Sequence, residues 1–339
     1  MYSLTLVVSA FRACLKNHFR NLQAPLCGIF YPRSVAVARY AALIRIKSPT
    51  NWDSQLTKSL FQTRSSAFCL LLWEYIIPGT RRFSMPALLE LDHVGLSYHT
   101  LSGEIQALSQ ISFSVQEGEF VSLVGPSGCG KSTVLNLIAG LLIPEQGQIT
   151  MQGLPREHSV LSVGYMLQKD HLFEWLTIYE NVLLGLKIQK RKTKESISHV
   201  DRLLQEYGLW NFRFSHPSQL SGGMRQRAAL IRTLALEPAL LLLDEPFSAL
   251  DYQTRLSVSD DIWKILRKEG KTALLVTHDI SEAISMSDRV IILSKAPACV
   301  RCEFPILTTL ADRTPMQMRN APEFKQYFQQ IWKELNHDT

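Results

Sequence analysis

At 339 residues with 46% hydrophobic content, the chain is long enough to bury one large or two medium cores, which excludes disorder throughout. The net charge of +6 is unevenly placed: eleven of the 36 Lys and Arg but two of the 30 Asp and Glu precede residue 85, leaving 25 basic against 28 acidic residues beyond it, so the total does not argue for a nucleic-acid partner. No stretch reaches the roughly eighteen apolar residues of a membrane-spanning helix, and the six cysteines are scattered without the spacing of a disulfide scaffold.

Residues 1–84 show no sustained helical or strand period, and Leu4 to Ala10 lacks the flanks of a signal peptide. Two readings stand: a genuine, poorly structured extension, or sequence upstream of a true start at Met85. The second is favoured because a clean domain begins within a few residues of Met85. From Leu88, alternation through Leu89, Leu91, Val94 and Leu96, and again through Ile105, Leu108, Ile111, Phe113 and Val115, predicts antiparallel strands. The apolar run Phe120 to Val124 reads as a strand buried on both faces, leading through a Gly-rich loop into a helix over Lys131 to Leu142.

Residues 177–236 are mainly helical by period, with Lys187 to Glu195 a solvated helix or connection; that stretch lacks the interleaved aromatics of a nucleic-acid surface. Buried strands resume at Leu240 to Leu243, Thr272 to Thr277 and Arg289 to Leu293, separated by helical pattern, which predicts an α/β fold on a parallel sheet. Beyond Ser294 the spacing predicts a few irregular residues and one amphipathic helix, Ala321 to Leu335, with Phe324, Phe328, Ile331, Trp332 and Leu335 on the face packed against the core. Cys299 and Cys302 form a C-x-x-C pair with no second pair or His cluster near it, and read as incidental thiols.

Three segments carry chemistry. Gly125-Pro126-Ser127-Gly128-Cys129-Gly130-Lys131-Ser132 matches G-x-x-x-x-G-K-[ST] between a buried strand and a helix start, where glycines let backbone N–H groups turn inward on phosphates. In that motif Lys131 reaches the β- and γ-phosphates and Ser132 offers its hydroxyl to Mg²⁺. Leu240 to Leu243 deliver Asp244 and Glu245 to the carboxyl end of a central strand, Asp244 suiting a magnesium shell and Glu245 the holding or deprotonation of an attacking water. Ser221, Gly222 and Gly223 precede the helical pattern of Ala228, Ile231 and Leu234, and so form a second helix N-terminus with exposed donors.

With Gln168 after an apolar strand, Ser248-Ala249-Leu250-Asp251 just past Glu245, and His278 ending a strand, the chain resembles the nucleotide-binding subunits of ABC transporters from Tyr98 to His278, with the resemblance extending from Leu88 to the end. The resemblance implies a P-loop NTPase: a parallel central sheet, an antiparallel β subdomain and a helical subdomain, with a C-terminal tail over residues 295–339. It implies ATP and Mg²⁺ as cofactors, Tyr98 stacked on adenine, phosphates in Gly125 to Thr133, Mg²⁺ on Ser132, Gln168 and Asp244, and Glu245, His278, Gln168 and Lys131 as the catalytic set. It also implies a dimer in which Ser221 to Gly223 of one subunit close on the nucleotide of the other, with Asp251 at the shared interface.

Only 90 positions separate Lys131 from Ser221 and a single cassette is present, against the DNA-repair and translation ATPases built on the same unit. The remaining expectation is an importer subunit, peripheral on the cytoplasmic face of the membrane. Its partners would be transmembrane permease subunits and, through them, an extracytoplasmic substrate-binding protein. The stretch Val163 to Asn181 and the short tail after His278 are similar to the nitrate, sulfonate and taurine group, with thiamine-precursor uptake in related systems. Phe173 and Trp175 are candidates to line the groove for the permease, or else pack within the helical subdomain.

Overall fold

The computed structural model describes residues 87–100, 103–310 and 313–336. The extension over residues 1–84 lies outside the described residues. Strands β1 (Leu89–Thr100) and β2 (Gly103–Val115) form an antiparallel pair, joined on the other side of β1 by β4 (Gln146–Met151) and then β5 (Leu154–Pro155), in the order β2-β1-β4-β5. The second sheet runs β10-β9-β3-β8-β7-β6, from β3 (Phe120–Val124), β6 (Val163–Met166), β7 (Leu240–Asp244), β8 (Thr272–Thr277), β9 (Arg289–Leu293) and β10 (Val300–Pro305). Its neighbours from β6 to β9 are parallel, and β10 pairs antiparallel at the edge.

The unbroken apolar runs of β3, β7 and β8 follow from burial on both faces, since successive side chains point to opposite sides. Val121, Leu123, Leu240, Leu242, Leu274 and Val276 share a core with the antiparallel sheet and helix α1 (Lys131–Ala139). Phe120, Leu241, Leu243, Ala273 and Leu275 turn the other way. They pack with helices α2 (Ile178–Ile188), α3 (Lys194–Glu206), α4 (Gly222–Leu234) and α5 (Tyr252–Lys268). Each such fully buried Leu or Ile contributes about 1.5–3 kcal/mol, so the two-sided sheet is the rigid element from which the loops at its carboxyl edge hang. Val124, Val290 and Ile292 form a third cluster with α6 (Ile280–Met286), α7 (Pro315–Arg319) and α8 (Pro322–Asn336).

Three expectations need correction. Helix α1 stops at Ala139, short of Leu142, because Gly140 takes the left-handed conformation (φ 78°) and returns its N–H to Asn136 and Leu137 carbonyls. The tail beyond Ser294 holds more than a few irregular residues and one helix: β10 extends the central sheet and α7 precedes α8. An edge strand with Arg301 and Glu303 on it carries a weaker apolar signal than a central one. In α8, Ile331 is buried but Trp332 is 56% exposed, stacked on Phe328 at 6.1 Å and covering the helix flank. Cys299 is exposed with its Sγ 3.4 Å from Ser294 Oγ, and Cys302 is half-buried on β10, where burial pushes its thiol pKa up.

Candidate functional site

The parallel strands β3, β8, β7 and β6 end side by side, with Val124 opposite Thr277, Val276 opposite Asp244 and Leu243 opposite Met166. The residue following each strand therefore emerges at one sheet edge, which is where open α/β sheets bind ligands. After β3 comes the Gly125 to Ser132 loop. Gly130, at φ 109°, takes a conformation closed to other residues, and a Cβ there would lie 2.7 Å from Leu108 Cδ2. The loop thus lies tight against β2 before entering α1, whose first N–H groups have no intrahelical partner and favour an anion.

Lys131 is buried, and its Nζ donates to the carbonyls of Gly125 and Pro126 at 2.8 Å each, folding the ammonium into the loop's concave side. Cys129 is buried beneath the loop, where desolvation pushes its thiol pKa up against the pull of Lys131, so it packs as a neutral group. Ser127, Gly128 and Ser132 are exposed. Thr133 is buried and its Oγ1 lies 3.1 Å from the hydroxyl of Tyr98, which fixes the 40%-exposed Tyr98 ring beside the loop.

Asp244 ends β7 buried, and Ser132 Oγ donates to its Oδ1 at 3.2 Å. Burial pushes the Asp244 carboxyl pKa up; the Ser132 bond opposes this and the neighbouring Glu245 charge adds to it. The Tyr165 hydroxyl lies 3.4 Å from Asp244 Oδ2 and 3.2 Å from Asn136 Oδ1, and burial beside that carboxylate raises the tyrosine's pKa in turn. Tyr165 and Asn136 escaped the sequence reading. Their signal was positional: Asn136 sits one helical turn beyond Ser132, and Tyr165 holds the half-buried phase of β6.

Glu245 takes a left-handed backbone (φ 43°), a conformation costing a non-glycine residue of order 1–3 kcal/mol. Its N–H is held by the Val276 carbonyl at 2.8 Å. The turn swings the Glu245 side chain away from Asp244 and toward the next segments. His278 Nδ1 lies 3.1 Å from Glu245 Oε2, and Gln168 Nε2 donates to that oxygen and to Ser248 Oγ, each at 3.4 Å. Two subsites result: Lys131, Ser132 and Asp244 around the glycine loop, and Gln168, Glu245 and His278 beside it. Through its amide nitrogen Gln168 bonds within the second set. A carboxylate flanked by an amide and an imidazole can hold and deprotonate a water.

Ser132 and Asp244 present hard oxygen donors suited to Mg²⁺, and among the described residues no cluster of three or more His, Cys, Asp or Glu forms a protein-only metal cage. That donor set fits an ion that keeps its waters and shares phosphate oxygens.

Ser221, Gly222, Gly223 and Asp251 are not hydrogen-bonded to residues 125–133 in the described chain. Ser221 caps α4 by accepting from Met224 N at 3.4 Å, and Asp251 caps α5 by accepting from Thr254 N at 3.1 Å; hydrogen bonding to the Thr254 side chain and then its backbone holds the Asp251 carboxyl below the usual range. Both caps are exposed, as is Gly222. Gly223 is buried for a packing reason: a Cβ there would meet Val258 Cγ2 at 2.8 Å, so α4 and α5 touch at this glycine. The segment after Gln168 is tied to α4. Burial works against the Asp170 charge, yet its bonds from Arg225 (2.9 and 3.2 Å) carry the carboxyl below its ordinary range, while Arg232 donates to the Asp170 and His171 carbonyls at 2.7 Å. Phe173 and Trp175 stand exposed on this segment, their rings 4.9 Å apart.

The sequence pattern of the ABC transporter family matches residues 108–248, and that of a family of unknown function (DUF6783) matches residues 15–71. The uncharacterized ABC transporter ATP-binding protein YtlC of Bacillus subtilis is 49% identical over 248 residues, 73% of this chain and 95% of the relative. The nitrate import ATP-binding protein NrtD of Synechocystis sp. is 38% identical over 250 residues, 72% of this chain and 93% of its own. Among solved structures, the dimeric post-hydrolysis state of the ATP-binding cassette MJ0796 bound to ADP and Pi aligns with a TM-score of 0.57 at 33% identity, covering 65% of this chain and 99% of that one.

Proposed function

From the premise that the chain belongs to the ABC transporter family, we propose that it is the ATP-hydrolysing subunit of an importer and couples nucleotide turnover to uptake through a separate permease. As an ABC transporter ATP-binding subunit it is an ATPase on a P-loop α/β fold. In this reading residues 88–339 form the ATPase domain, with a helical subdomain at about 177–236 and a tail over 295–339. The observation that carries the reading is the convergence of the glycine loop, Asp244, Glu245 and His278 at one sheet edge.

The Tyr98 ring stacks on the adenine, and N–H groups from Gly125 to Thr133 hold the phosphates. Lys131 exchanges the Gly125 and Pro126 carbonyls for phosphate oxygens, so its buried ammonium meets charge without crossing solvent. Ser132 and Asp244, with Gln168 from the neighbouring subsite, would hold Mg²⁺, which would neutralise charge on the phosphates. Glu245 aligns the attacking water and takes its proton, while His278 and Gln168 share Glu245 Oε2 and so fix where that carboxylate points. The exposed tips at Ser221, Gly222 and Gly223, with Asp251, belong to the mate's site: a second copy lays them over the γ-phosphate, and its loss on hydrolysis loosens the pair.

The nitrate-import relative and the likeness of Val163 to Asn181 support a nitrate, sulfonate or taurine class of solute, with thiamine precursors as a related one. The chain then works on the cytoplasmic face of the membrane, served through its permease by an extracytoplasmic binding protein. No helix among the described residues is long and apolar enough to cross a membrane. Purification of the full-length chain from membranes tests this. Co-purification of a multi-span permease that stimulates its ATPase is expected; recovery with ribosomes or DNA instead would support a non-transport ATPase of the same fold.

A further inference from the structure

Behind His278 lies a charged cluster that the roles above do not use. Arg255, in the first turn of α5, donates through Nη2 to the Leu250 carbonyl at 3.1 Å, just before the Asp251 cap. Its Nη1 is 3.6 Å from Asp279 Oδ2, and its Nε is 3.8 Å from Glu282 Oε1. Asp279 divides its oxygens, for Oδ1 caps α6 by accepting from Ser281 N (2.7 Å) and Glu282 N (3.3 Å) while Oδ2 faces the arginine. Glu282 is 3% exposed and its Oε2 accepts from Thr277 Oγ1 at 2.7 Å, while the same Thr277 oxygen accepts from Asp279 N at 3.0 Å.

The residues on both sides of His278 are therefore pinned to groups that Arg255 faces. Thr277 is held by Glu282, and Asp279 by its own cap and the guanidinium. On its other side the same guanidinium grips the turn running from Glu245 to Asp251, in which Ser248 Oγ returns to the Glu245 carbonyl at 3.0 Å. Arg255 also lines the same surface notch as Glu245, Ser248 and His278. A fork-shaped cation is suited to this: it holds several acceptors in fixed relation, which the single ammonium of a lysine does not. Burial pushes the Glu282 carboxyl pKa up, while its Thr277 bond and the nearby Arg255 and Arg319 guanidinium groups oppose this.

Resting on the role proposed for His278, we infer that Arg255 is a positioning residue that holds the His278 segment and the Asp251 turn in one geometry around Glu245. In this role it acts through the His278 segment and the Asp251 turn. Its removal leaves the glycine loop intact and moves the imidazole relative to the carboxylate, and a misplacement of about 1 Å costs of order 10²-fold in rate.

The test is steady-state ATPase of the full-length chain, with ATP affinity measured separately. Arg255→Met lowers kcat by about 10- to 100-fold with ATP affinity unchanged. Asp279→Asn, which keeps the helix cap and removes the charge facing Arg255, lowers kcat in the same direction by less. The decisive arm is a double-mutant cycle: in a His278→Ala background, Arg255→Met costs much less than it does alone, because coupled residues are not additive. Losses that multiply, or wild-type kcat in both Arg255→Met and Asp279→Asn, overturn the inference. A His278→Ala chain that turns over normally refutes the role of His278 itself, which is a separate result.

Discussion

The glycine-loop edge and the paired caps at Ser221 and Asp251 contain similar elements, helix N-termini with small or acidic residues, yet the fold treats them oppositely. At the edge, Lys131 bonds to the loop's own carbonyls, Ser132 to Asp244, and His278 faces Glu245, with Lys131 and Asp244 buried. At the caps, Ser221 and Asp251 bond only to their own helices and face outward. One region completes its contacts within the chain; the other is finished as structure and open as surface. This difference is what a site shared between two copies requires of a single chain.

The comparison is broken most severely at Glu245. Glu245→Gln leaves ATP binding intact and lowers hydrolysis by about 10²- to 10⁴-fold, the worth of a general base; near-normal turnover would remove Glu245 from the chemistry. Lys131→Ala weakens nucleotide binding by about 10- to 100-fold along with turnover, since a charge-assisted hydrogen bond is worth about 1.5–3 kcal/mol. Unchanged affinity by titration would place the ammonium off the phosphates. On the cap side, Asp251→Ala costs about 1 kcal/mol through the lost cap, a melting shift of about 2–4 °C for a domain of this size, whereas Asp251→Asn keeps the cap. A turnover loss shared by both variants assigns Asp251 a role at the interface beyond capping.

The smallest effect is also the most diagnostic of burial. Asp244 binds its proton more tightly folded than unfolded, because burial raises its pKa. Its contribution to stability therefore declines as pH rises from the unfolded carboxylate value through the folded one, then levels off. Asp244→Asn should melt higher than the parent at neutral pH, and the gain should shrink as pH falls through the carboxylate range. A gain independent of pH would mean that the carboxyl is not strained by burial.

The glycine loop and the acidic strand end were readable because each follows a strand buried on both faces, whereas Gln168, Asp251 and His278 were legible only through the resemblance to ABC transporter subunits. Contacts that join segments far apart in sequence were not readable. Tyr165 and Asn136 meet Asp244 only once α1 and β6 lie beside β7, and Arg255 faces Asp279 and Glu282 only when α5 packs beside α6. Strand β10 was missed for a related reason: its edge position demands charge on the exposed phase, which masks the alternation. Glycine at 223 carried a double meaning, as a helix start in sequence and as the contact point with Val258 in space.

The central claim is that the loop of one copy and the Ser221 tip of another clasp the same nucleotide. Sedimentation of the full-length Glu245→Gln chain, with and without MgATP, tests it most directly. The account predicts a monomer without nucleotide, a dimer with it, and no dimer for a Ser221→Arg, Glu245→Gln chain that still binds ATP. A nucleotide-loaded chain that stays monomeric, or a dimer indifferent to both ATP and Ser221, would contradict it.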